Sequence, residues 1–353
     1  MKKILVIQLQ QIGDVLLSTA ICSTLKKTYP EASIDYLVAD FTEGIVRGHP
    51  AISEVITYQK NRDFFYFLSF LWRLRKKKYD VVIDILCKPR SGFMSFFSGA
   101  KRRISFARRG RNFFYTDLLP GSLGLKLHTI DHRLTLLKPL AATIKEDKTV
   151  KIYLEDSLVE KTEKLFLSKG LDRSCLKIVF GVNSRRSFKV WPREHFVKVI
   201  DFCIAKYNAK IIFFYNEKEK NDCMAVKQMV SKPENVHMGF SGSIRDLAAV
   251  LKCCDLFVGN DSGPRHIAEA VNLPTFAIYS PSSSKWNWNT QGNPRFQSID
   301  LQDALQLSDQ EFAAMLKEAN KKNAENFLSK ITPEFVMERL DKMIQEVILK
   351  NDK

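Results

Sequence analysis

A single carboxylate follows the first apolar segment of the chain in the stretch "QLQQIGDVLLSTAICSTLKK", which runs from Gln8 to Lys27. The run Ile4–Ile7 before it is typical of a buried strand, and the residues after Gly13 have the spacing of a helix. A phosphate-binding turn would favour backbone amides without a negative side chain beside them. Asp14 is therefore interpreted as a general base at a ligand site, or else as the residue that caps the helix.

Positive charge is concentrated in the stretch "SRRSFKVWP", Ser184–Pro192, which follows a predicted strand. Its side chains Arg185, Arg186 and Lys189 suit a pyrophosphate, because cations stabilise the charge on phosphate oxygens. A solvated basic loop would have the same composition, so this stretch alone does not decide between the two interpretations.

The stretch "DSGPRHIAEA", Asp261–Ala270, joins the end of a predicted strand to the start of a helix. Gly263 permits a close approach of a ligand to the backbone, and the Ser262 hydroxyl and the free N–H groups of the first turn can bind an anion. His266 follows in the same turn and could donate to a phosphate oxygen. An ordinary helix cap has similar residues, but two such stretches in one domain predict a nucleoside diphosphate site.

Short apolar strands alternate with helices in both halves of the chain, which is typical of parallel sheets covered by helices on both faces. We therefore predict an α/β protein with two Rossmann-like, doubly wound domains that face a cleft, because such sheets bind ligands at the carboxyl ends of their strands. The first domain is predicted over residues 1–172 and the second over residues 173–330. The last helix, within residues 331–353, is expected to pack back on the first domain.

The formal net charge of +16 favours an anionic partner. Between Leu71 and Asn112 there are thirteen Lys or Arg and two Asp, so this segment alone carries 13 − 2 = +11. Aromatic residues flank or interrupt it at Asp63–Leu74, Phe93–Phe97 and Phe113–Tyr115. Basic and aromatic residues together suit a surface of anionic lipid and would also suit single-stranded nucleic acid. We favour lipid, because no nucleic-acid-binding module is visible.

The 353 residues suffice for two domains, and the seven cysteines contain no CxxC pair. We therefore expect reduced thiols and, with the histidines also scattered, no metal site. The N-terminal apolar run ends at Gln8, too early for a signal peptide, and no stretch reaches the roughly 18 apolar residues of a membrane span. The sequence predicts a cytoplasmic protein.

Three motifs together resemble glycosyltransferase family 9, the ADP-heptose:lipopolysaccharide heptosyltransferases. They are "QIGDVLLSTAICSTLKKTYP", "KVWPREHF" and "GNDSGPRHIAEAVNLPTFAIYSP", in the expected order along nearly the whole chain. The resemblance implies a GT-B fold and inverting transfer without a metal or other cofactor. It also implies an ADP-heptose donor, bound by the second domain, and a lipid-linked, anionic saccharide acceptor at the cytoplasmic face of the inner membrane. No nucleic-acid partner is expected.

The resemblance also assigns roles to residues. Asp14 is implied as the catalytic base, Lys189 as the cation at the donor phosphate, and Asp261 as a contact to the donor sugar. The other donor contacts are expected at Ser184, Arg185, Ser262, Gly263, His266 and Glu217, for which Glu219 is an alternative. The basic residues expected to bind the acceptor or the membrane are Lys88, Arg90, Lys101, Arg102, Arg103 and Arg133.

The sequence departs from the family pattern at Ser262, where threonine is usual, and at Arg265, where small or apolar residues are more frequent. The alternatives are a GT-B transferase with another nucleotide sugar or surface-glycan acceptor, and a non-catalytic basic protein that binds membranes or polysaccharide. A nucleotide-sugar epimerase or dehydrogenase would need a GxGxxG turn, whereas Gln8–Asp14 contains one glycine.

Overall fold

The computed structural model describes residues 2–121, 127–140, 143–238, 242–319 and 323–349. The chain divides into two units, Met1–Tyr153 and Leu154–Lys353. Each unit contains a six-stranded sheet in which all neighbouring strands run parallel. The predicted α/β class and the two parallel sheets are thereby confirmed.

The first unit alternates strands and helices. Its strands are β1 Lys3–Gln8, β2 Ser33–Ala39, β3 Glu54–Tyr58, β4 Val81–Asp84, β5 Arg102–Phe106 and β6 Asp117–Leu119, in the spatial order β3-β2-β1-β4-β5-β6. Its helices are α1 Ile12–Leu17, α2 Thr19–Thr28, α3 Glu43–Val46, α4 Phe64–Lys76, α5 Pro89–Phe97 and α6 Thr129–Leu134, with short 3₁₀ turns at Asp40–Thr42, Asn112–Phe114 and Thr135–Leu137.

The second unit repeats this order of pairing. Its strands are β7 Lys177–Gly181, β8 Lys210–Phe213, β9 Val236–His237, β10 Leu256–Asn260, β11 Thr275–Ile278 and β12 Phe296–Ile299, in the order β12-β11-β10-β7-β8-β9. Its helices are α7 Asp156–Ser168, α8 Arg193–Tyr207, α9 Lys220–Met229, α10 Ile244–Lys252, α11 Gly263–Ala270, α12 Lys285–Trp288, α13 Leu301–Leu305, α14 Asp309–Glu318, α15 Ala324–Leu328 and α16 Pro333–Met343. Further 3₁₀ turns lie at Ser187–Lys189 and Pro233–Asn235, and a π-helical turn, Ile344–Ile348, follows α16.

Both sheets contain a point where the strand order reverses, and ligands of doubly wound folds bind at such a point. The order reverses between β1 and β4 in the first unit and between β7 and β10 in the second, so the loops that leave these strands diverge and open a crevice. Asp14 follows β1, whereas Lys189 and Asp261 follow β7 and β10. The topology therefore positions the predicted chemistry in each unit.

The division between the units lies earlier than the sequence predicts. It falls after Tyr153 and not after residue 172, because α7 packs against α10 of the second unit. An ion pair between Glu155 and Arg245 joins the start of α7 to α10.

The last helix also differs from the expectation that it would pack on the first domain. Its apolar residues Val336, Leu340 and Met343 are fully buried in the core of the second unit, and α16 contacts α8. Thr332 caps this helix and Pro333 is its first residue, and both residue types are favoured at these positions. The apolar face of α16 is thus part of the core that supports β7 and β8.

Candidate functional site

Asp14 lies in the first turn of α1, directly after β1, with Gln11 in the N-cap position. The capping interpretation is therefore wrong: Asp14 is inside the helix, and its side chain is bonded elsewhere. Its Oδ1 accepts a hydrogen bond of 2.6 Å from Nη2 of Arg133, and its backbone carbonyl accepts one of 2.6 Å from Nη1. The carboxylate is thus held in one orientation by a rigid guanidinium.

Arg133 was expected among the cations at an acceptor or membrane surface, but it is only 6% exposed. It lies on α6 beside the buried residues Ile130 and Leu134, so this face of the helix points into the unit. Besides Asp14, it donates to the hydroxyl of Ser18 at 2.8 Å. Arg133 therefore positions the candidate base and does not contribute to a membrane-facing surface.

The predicted donor residues Lys189 and Asp261 contact each other in the second unit. Lys189 Nζ lies 2.6 Å from Oδ2 of Asp261 and 3.2 Å from the hydroxyl of Ser283, which itself donates to the same Oδ2 at 2.6 Å. Burial raises the pKa of Asp261, but the positive charges of Lys189 and Arg265 outweigh burial and leave the pKa below its usual value. The site thus contains a charged carboxylate with a fixed cation beside it.

A buried asparagine explains why Lys189 reaches Asp261. Asn260, the last residue of β10, accepts a hydrogen bond from the Trp191 N–H at 2.9 Å. Its amide group donates to the carbonyls of Gly181 and Val182, both at 3.2 Å. These bonds tie the loop after β7 to the end of β10. The sequence assigns no role to Asn260, whose only signal is its place at the end of a predicted strand.

The start of α11 has the features expected of an anion site. Ser262 occupies the N-cap position with an extended backbone, Gly263 is the first helical residue, and Pro264 follows in the first turn. The Ser262 hydroxyl is buried and has no hydrogen-bond partner among the described residues. A buried hydroxyl at a helix N-terminus is satisfied when a ligand oxygen binds there.

His266 is buried within the same helix, 5% exposed, and packs edge-on against Trp288 with 5.8 Å between the ring centres. One of its ring nitrogens, Nδ1, lies 2.9 Å from Nη2 of Arg265. The imidazole is therefore fixed by its neighbours.

The remaining predicted donor residues lie in two loops at the carboxyl ends of β7 and β8. Ser184 is partly buried, and Arg185 beside it is exposed. Glu217 is also exposed, whereas the Glu219 carboxylate accepts a hydrogen bond of 3.2 Å from the backbone of Asn216. The Glu219 side chain is thus engaged within its own loop, which favours Glu217 as the freer carboxylate.

The basic and aromatic segment of the first unit forms an exposed surface on α4, α5 and the turn Asn112–Phe114, which we call the aromatic face. α4 contacts α5, and α5 contacts this turn. Its large exposed side chains are Phe64, Phe65, Leu68, Trp72, Phe93, Phe96, Phe97 and Phe113. On α4 they recur three or four residues apart, opposite the buried Phe70, Leu71 and Leu74.

The predicted surface cations differ in how far they are free to bind. Lys88 and Lys101 are exposed, and Arg90 is exposed but also donates to the backbone carbonyl of Lys60 at 2.9 Å. Arg102 is bonded to Asp117 at 2.6 Å, and Arg103 donates to the backbone carbonyl of Phe114 at 2.8 Å. These two arginines therefore also stabilise the edge of the sheet.

Within the described ranges, no helix is both long and apolar enough to cross a bilayer. The described part of the chain also has no cluster of three or more His, Cys, Asp or Glu side chains that could hold a metal ion.

Comparison with known proteins identifies similar chains. The sequence model of glycosyltransferase family 9 (heptosyltransferase) matches residues 67–294. Lipopolysaccharide heptosyltransferase 3 of Escherichia coli (strain K12) is 28% identical over 288 residues, which cover 76% of this chain and 79% of the relative.

Two solved structures are similar over almost the full length. A glycosyl transferase family 9 protein from Veillonella parvula DSM 2008 has a TM-score of 0.82 and 24% identity, covering 98% of this chain and 97% of that one. The E. coli ADP-heptose lps heptosyltransferase II has a TM-score of 0.76 and 19% identity, covering both chains fully at 100%. Together with the two parallel sheets, these likenesses confirm the expected GT-B fold.

Proposed function

Because the chain belongs to glycosyltransferase family 9 and is a glycosyltransferase, we propose that it transfers heptose from ADP-heptose to the inner core of a lipopolysaccharide, with inversion at the anomeric carbon. The E. coli relative is a lipopolysaccharide heptosyltransferase, and a protein of the same fold is an ADP-heptose heptosyltransferase. These likenesses support the sugar and the acceptor class of the proposal.

The observation that carries the donor assignment is the contact of Lys189, Asp261 and Ser283. The Ser262 hydroxyl, which has no partner in the described part of the chain, lies beside it. The Lys189 ammonium and the N-terminus of α11 balance the charge that develops on the departing diphosphate. Asp261 accepts hydrogen bonds from hydroxyl groups of the sugar. Fixed cations and dipoles do here what a metal ion does in other transferases.

The transfer is a single displacement. A hydroxyl oxygen of the acceptor attacks the anomeric carbon of the heptose as the bond from this carbon to the diphosphate oxygen breaks. The hydroxyl proton passes to the Asp14 carboxylate, and ADP leaves with the bonding electron pair. Arg133 fixes the carboxylate for this step through its 2.6 Å bond to Oδ1, so that Oδ2 is left to accept the proton.

Thermal-shift measurements with ADP, UDP, GDP and CMP, each without added metal, test the donor. Of the four nucleotides, we expect only ADP to raise the unfolding temperature, because ADP is the leaving group of the proposed reaction. ADP-heptose and a heptose-free lipopolysaccharide core are then supplied together, and the product is identified by its mass. If only UDP or GDP raises the unfolding temperature, the donor is a UDP-sugar or a GDP-sugar and not ADP-heptose. If none of the four nucleotides raises it, the proposed donor site is rejected.

We further propose that the enzyme works at the cytoplasmic face of the inner membrane and that the aromatic face contacts anionic lipid. Phe65 is 80% exposed and Trp72 is 60% exposed, and Lys76 lies 3.2 Å from the centre of the Trp72 ring. An aromatic side chain at the depth of the headgroups with a cation beside it is suited to anionic lipid. The exposed Lys88, Arg90 and Lys101 add to this attraction.

Flotation with vesicles tests this contact. We expect binding to vesicles that contain phosphatidylglycerol and not to vesicles of phosphatidylcholine, and we expect binding to weaken as salt rises. Phe65→Ser with Trp72→Ser should abolish flotation without lowering the unfolding temperature, since both side chains are exposed. Leu167→Ser is the matched control, because Leu167 is 59% exposed on α7 of the other unit. Binding that ignores lipid charge, or that survives the double substitution, would contradict the proposal.

A further inference from the structure

Arg265 is a fully buried cation in the middle of the candidate donor site, at 0% exposure. Its Nη1 donates to Glu269 Oε1 at 2.6 Å and to Asn289 Oδ1 at 3.3 Å, and its Nη2 donates to the carbonyl of Trp288 at 2.8 Å. A buried guanidinium is retained at a large desolvation cost and requires such partners. Its contacts therefore indicate what it holds in position.

Arg265 also faces Asp261. Nε of Arg265 has no hydrogen-bond partner among the described residues and lies 3.9 Å from Oδ1 of Asp261. The other oxygen, Oδ2, is occupied by Lys189 and Ser283. At 3.9 Å the attraction is electrostatic and leaves the lone pairs of Oδ1 free for a ligand hydroxyl.

The same guanidinium also fixes the segment that follows β11. Ser283 of this segment is bonded to Asp261, and Trp288 and Asn289 are bonded to Arg265. Lys285 anchors the segment from the other side through Asp303 at 2.5 Å. Arg265 thereby fixes the positions of α11, Asp261 and residues 283–289 relative to one another.

We infer that Arg265 is a positioning residue for the donor sugar: it holds Asp261 Oδ1 and the segment 283–289 in the geometry that binds the sugar, and it does not hold the diphosphate. This inference rests on the proposed function and adds a determinant of sugar specificity to it. Among the described residues, Lys189 and the Ser262 hydroxyl, two of the groups assigned to the diphosphate, make no hydrogen bond to Arg265. His266 does lie 2.9 Å from Nη2 of Arg265, but its ring is also held by Trp288. Loss of Arg265 should therefore affect the sugar far more than the nucleotide.

Calorimetric binding of ADP and of ADP-heptose, without acceptor, separates these contributions. We expect Arg265→Met to weaken the binding of ADP-heptose at least about tenfold, which corresponds to about 1.4 kcal/mol. The affinity for ADP should change less than about twofold. Arg265→Lys keeps the positive charge but loses the planar guanidinium with its several donors, so its affinity for ADP-heptose should be intermediate. Arg339→Met is the control, because Arg339 is exposed on α16, and it should change neither affinity.

Arg265→Met leaves Glu269 buried without its partner, so the double substitution Arg265→Met with Glu269→Gln provides a second, better-balanced variant. In this variant too, the loss should be confined to ADP-heptose. Equal losses of ADP and ADP-heptose in the folded double variant would show a structural role only, and unchanged ADP-heptose binding would reject the inference. Wild-type protein that binds ADP but no ADP-sugar would instead overturn the proposed donor, and the inference with it.

Discussion

At the scale of single residues, Asp14 combines a carboxylate with a fixed orientation. Arg133 occupies its Oδ1 and its backbone carbonyl, and the side chain of Asp14 is still 17% exposed. A base must be held close to the proton it accepts, and an arginine fork achieves this at a small entropic cost.

We expect Asp14→Asn to fold normally and to lower kcat by about 10²–10⁴-fold, because the amide keeps the shape of the carboxylate but cannot accept the proton. KM for the donor should change little, as Asp14 takes no part in donor binding. Steady-state kinetics with a thermal unfolding curve measures both. Glu31→Gln, a neutralised surface carboxylate of the same unit, is the control. Near-normal turnover of Asp14→Asn would reject the assignment of the base.

The Lys189–Asp261 pair should make stability depend on pH in a defined direction. Because folding lowers the pKa of Asp261, the pair stabilises the fold fully above the carboxyl's unfolded pKa of about 4 and loses this contribution as pH falls through the lower folded pKa. In Lys189→Met, burial is opposed by fewer cations, so the pKa of Asp261 should rise.

The unfolding temperature of Lys189→Met should therefore lie below that of the wild type at neutral pH, by the equivalent of about 3–5 kcal/mol for a broken buried pair. The difference should shrink as pH falls and should be smallest below the lowered folded pKa of Asp261 in the wild type, where the carboxyl takes up a proton in both proteins. Lys198→Met, which changes an exposed lysine, should show no difference at any pH. A difference that stays constant across the pH range would mean that Lys189 stabilises by packing and not by charge.

At the scale of elements, β7, β10 and the loop between β7 and α8 act together. Asn260 is completely buried and bonds to three backbone groups of the neighbouring strand and loop. Trp191, equally buried, donates from its indole nitrogen to the carbonyl of Ile331 at 2.9 Å. The loop that carries Lys189 is therefore anchored at two points, and its distance from α11 is fixed.

Asn260→Ala should release this loop. The backbone N–H of Trp191 would lose its partner, which costs about 1–3 kcal/mol for a buried polar group. Lys189 would then no longer be held against Asp261. We expect a lower unfolding temperature together with weaker ADP binding, measured by calorimetry. Asn326→Ala, in α15, removes an exposed amide of the same unit and should leave ADP binding intact. If ADP binds Asn260→Ala as tightly as it binds the wild type, the loop does not depend on this side chain.

At the scale of the whole molecule, each unit has a core of its own. The second unit includes α16, whose residues Val336, Leu340 and Met343 are buried with strand residues such as Ile178 and Phe180. The aromatic face belongs to the first unit and the candidate donor site to the second, so the proposed membrane and nucleotide contacts belong to different units.

A fragment from Leu154 to Leu349 should therefore fold alone and bind ADP, whereas a fragment from Leu154 to Ile331 should not fold. Each large apolar side chain lost from the core costs about 1.5–3 kcal/mol, and α16 contributes several of them. Circular dichroism with thermal unfolding, followed by ADP titration, compares the fragments. A folded, ADP-binding fragment without α16 would contradict this view of the second unit.

The sequence by itself determined much of this protein. Alternating apolar strands and helices fix the two parallel sheets, because burial on both faces requires continuous apolar runs, and the predicted strand at Ile4–Ile7 lies within β1. Since parallel strands present their carboxyl ends at one edge, the sequence also predicted a single site for the stretches that contain Lys189 and Asp261.

Only the tertiary structure decided which distant residues support these groups. Arg133 is 119 positions from Asp14, and Ser283 is 22 positions from Asp261, so no local period or cap links either pair. The place of α16 in the second unit and the burial of Arg265 likewise depend on which surfaces pack together. A local pattern gives the face that an element buries, but the partner of that face is chosen by the packing of the whole unit.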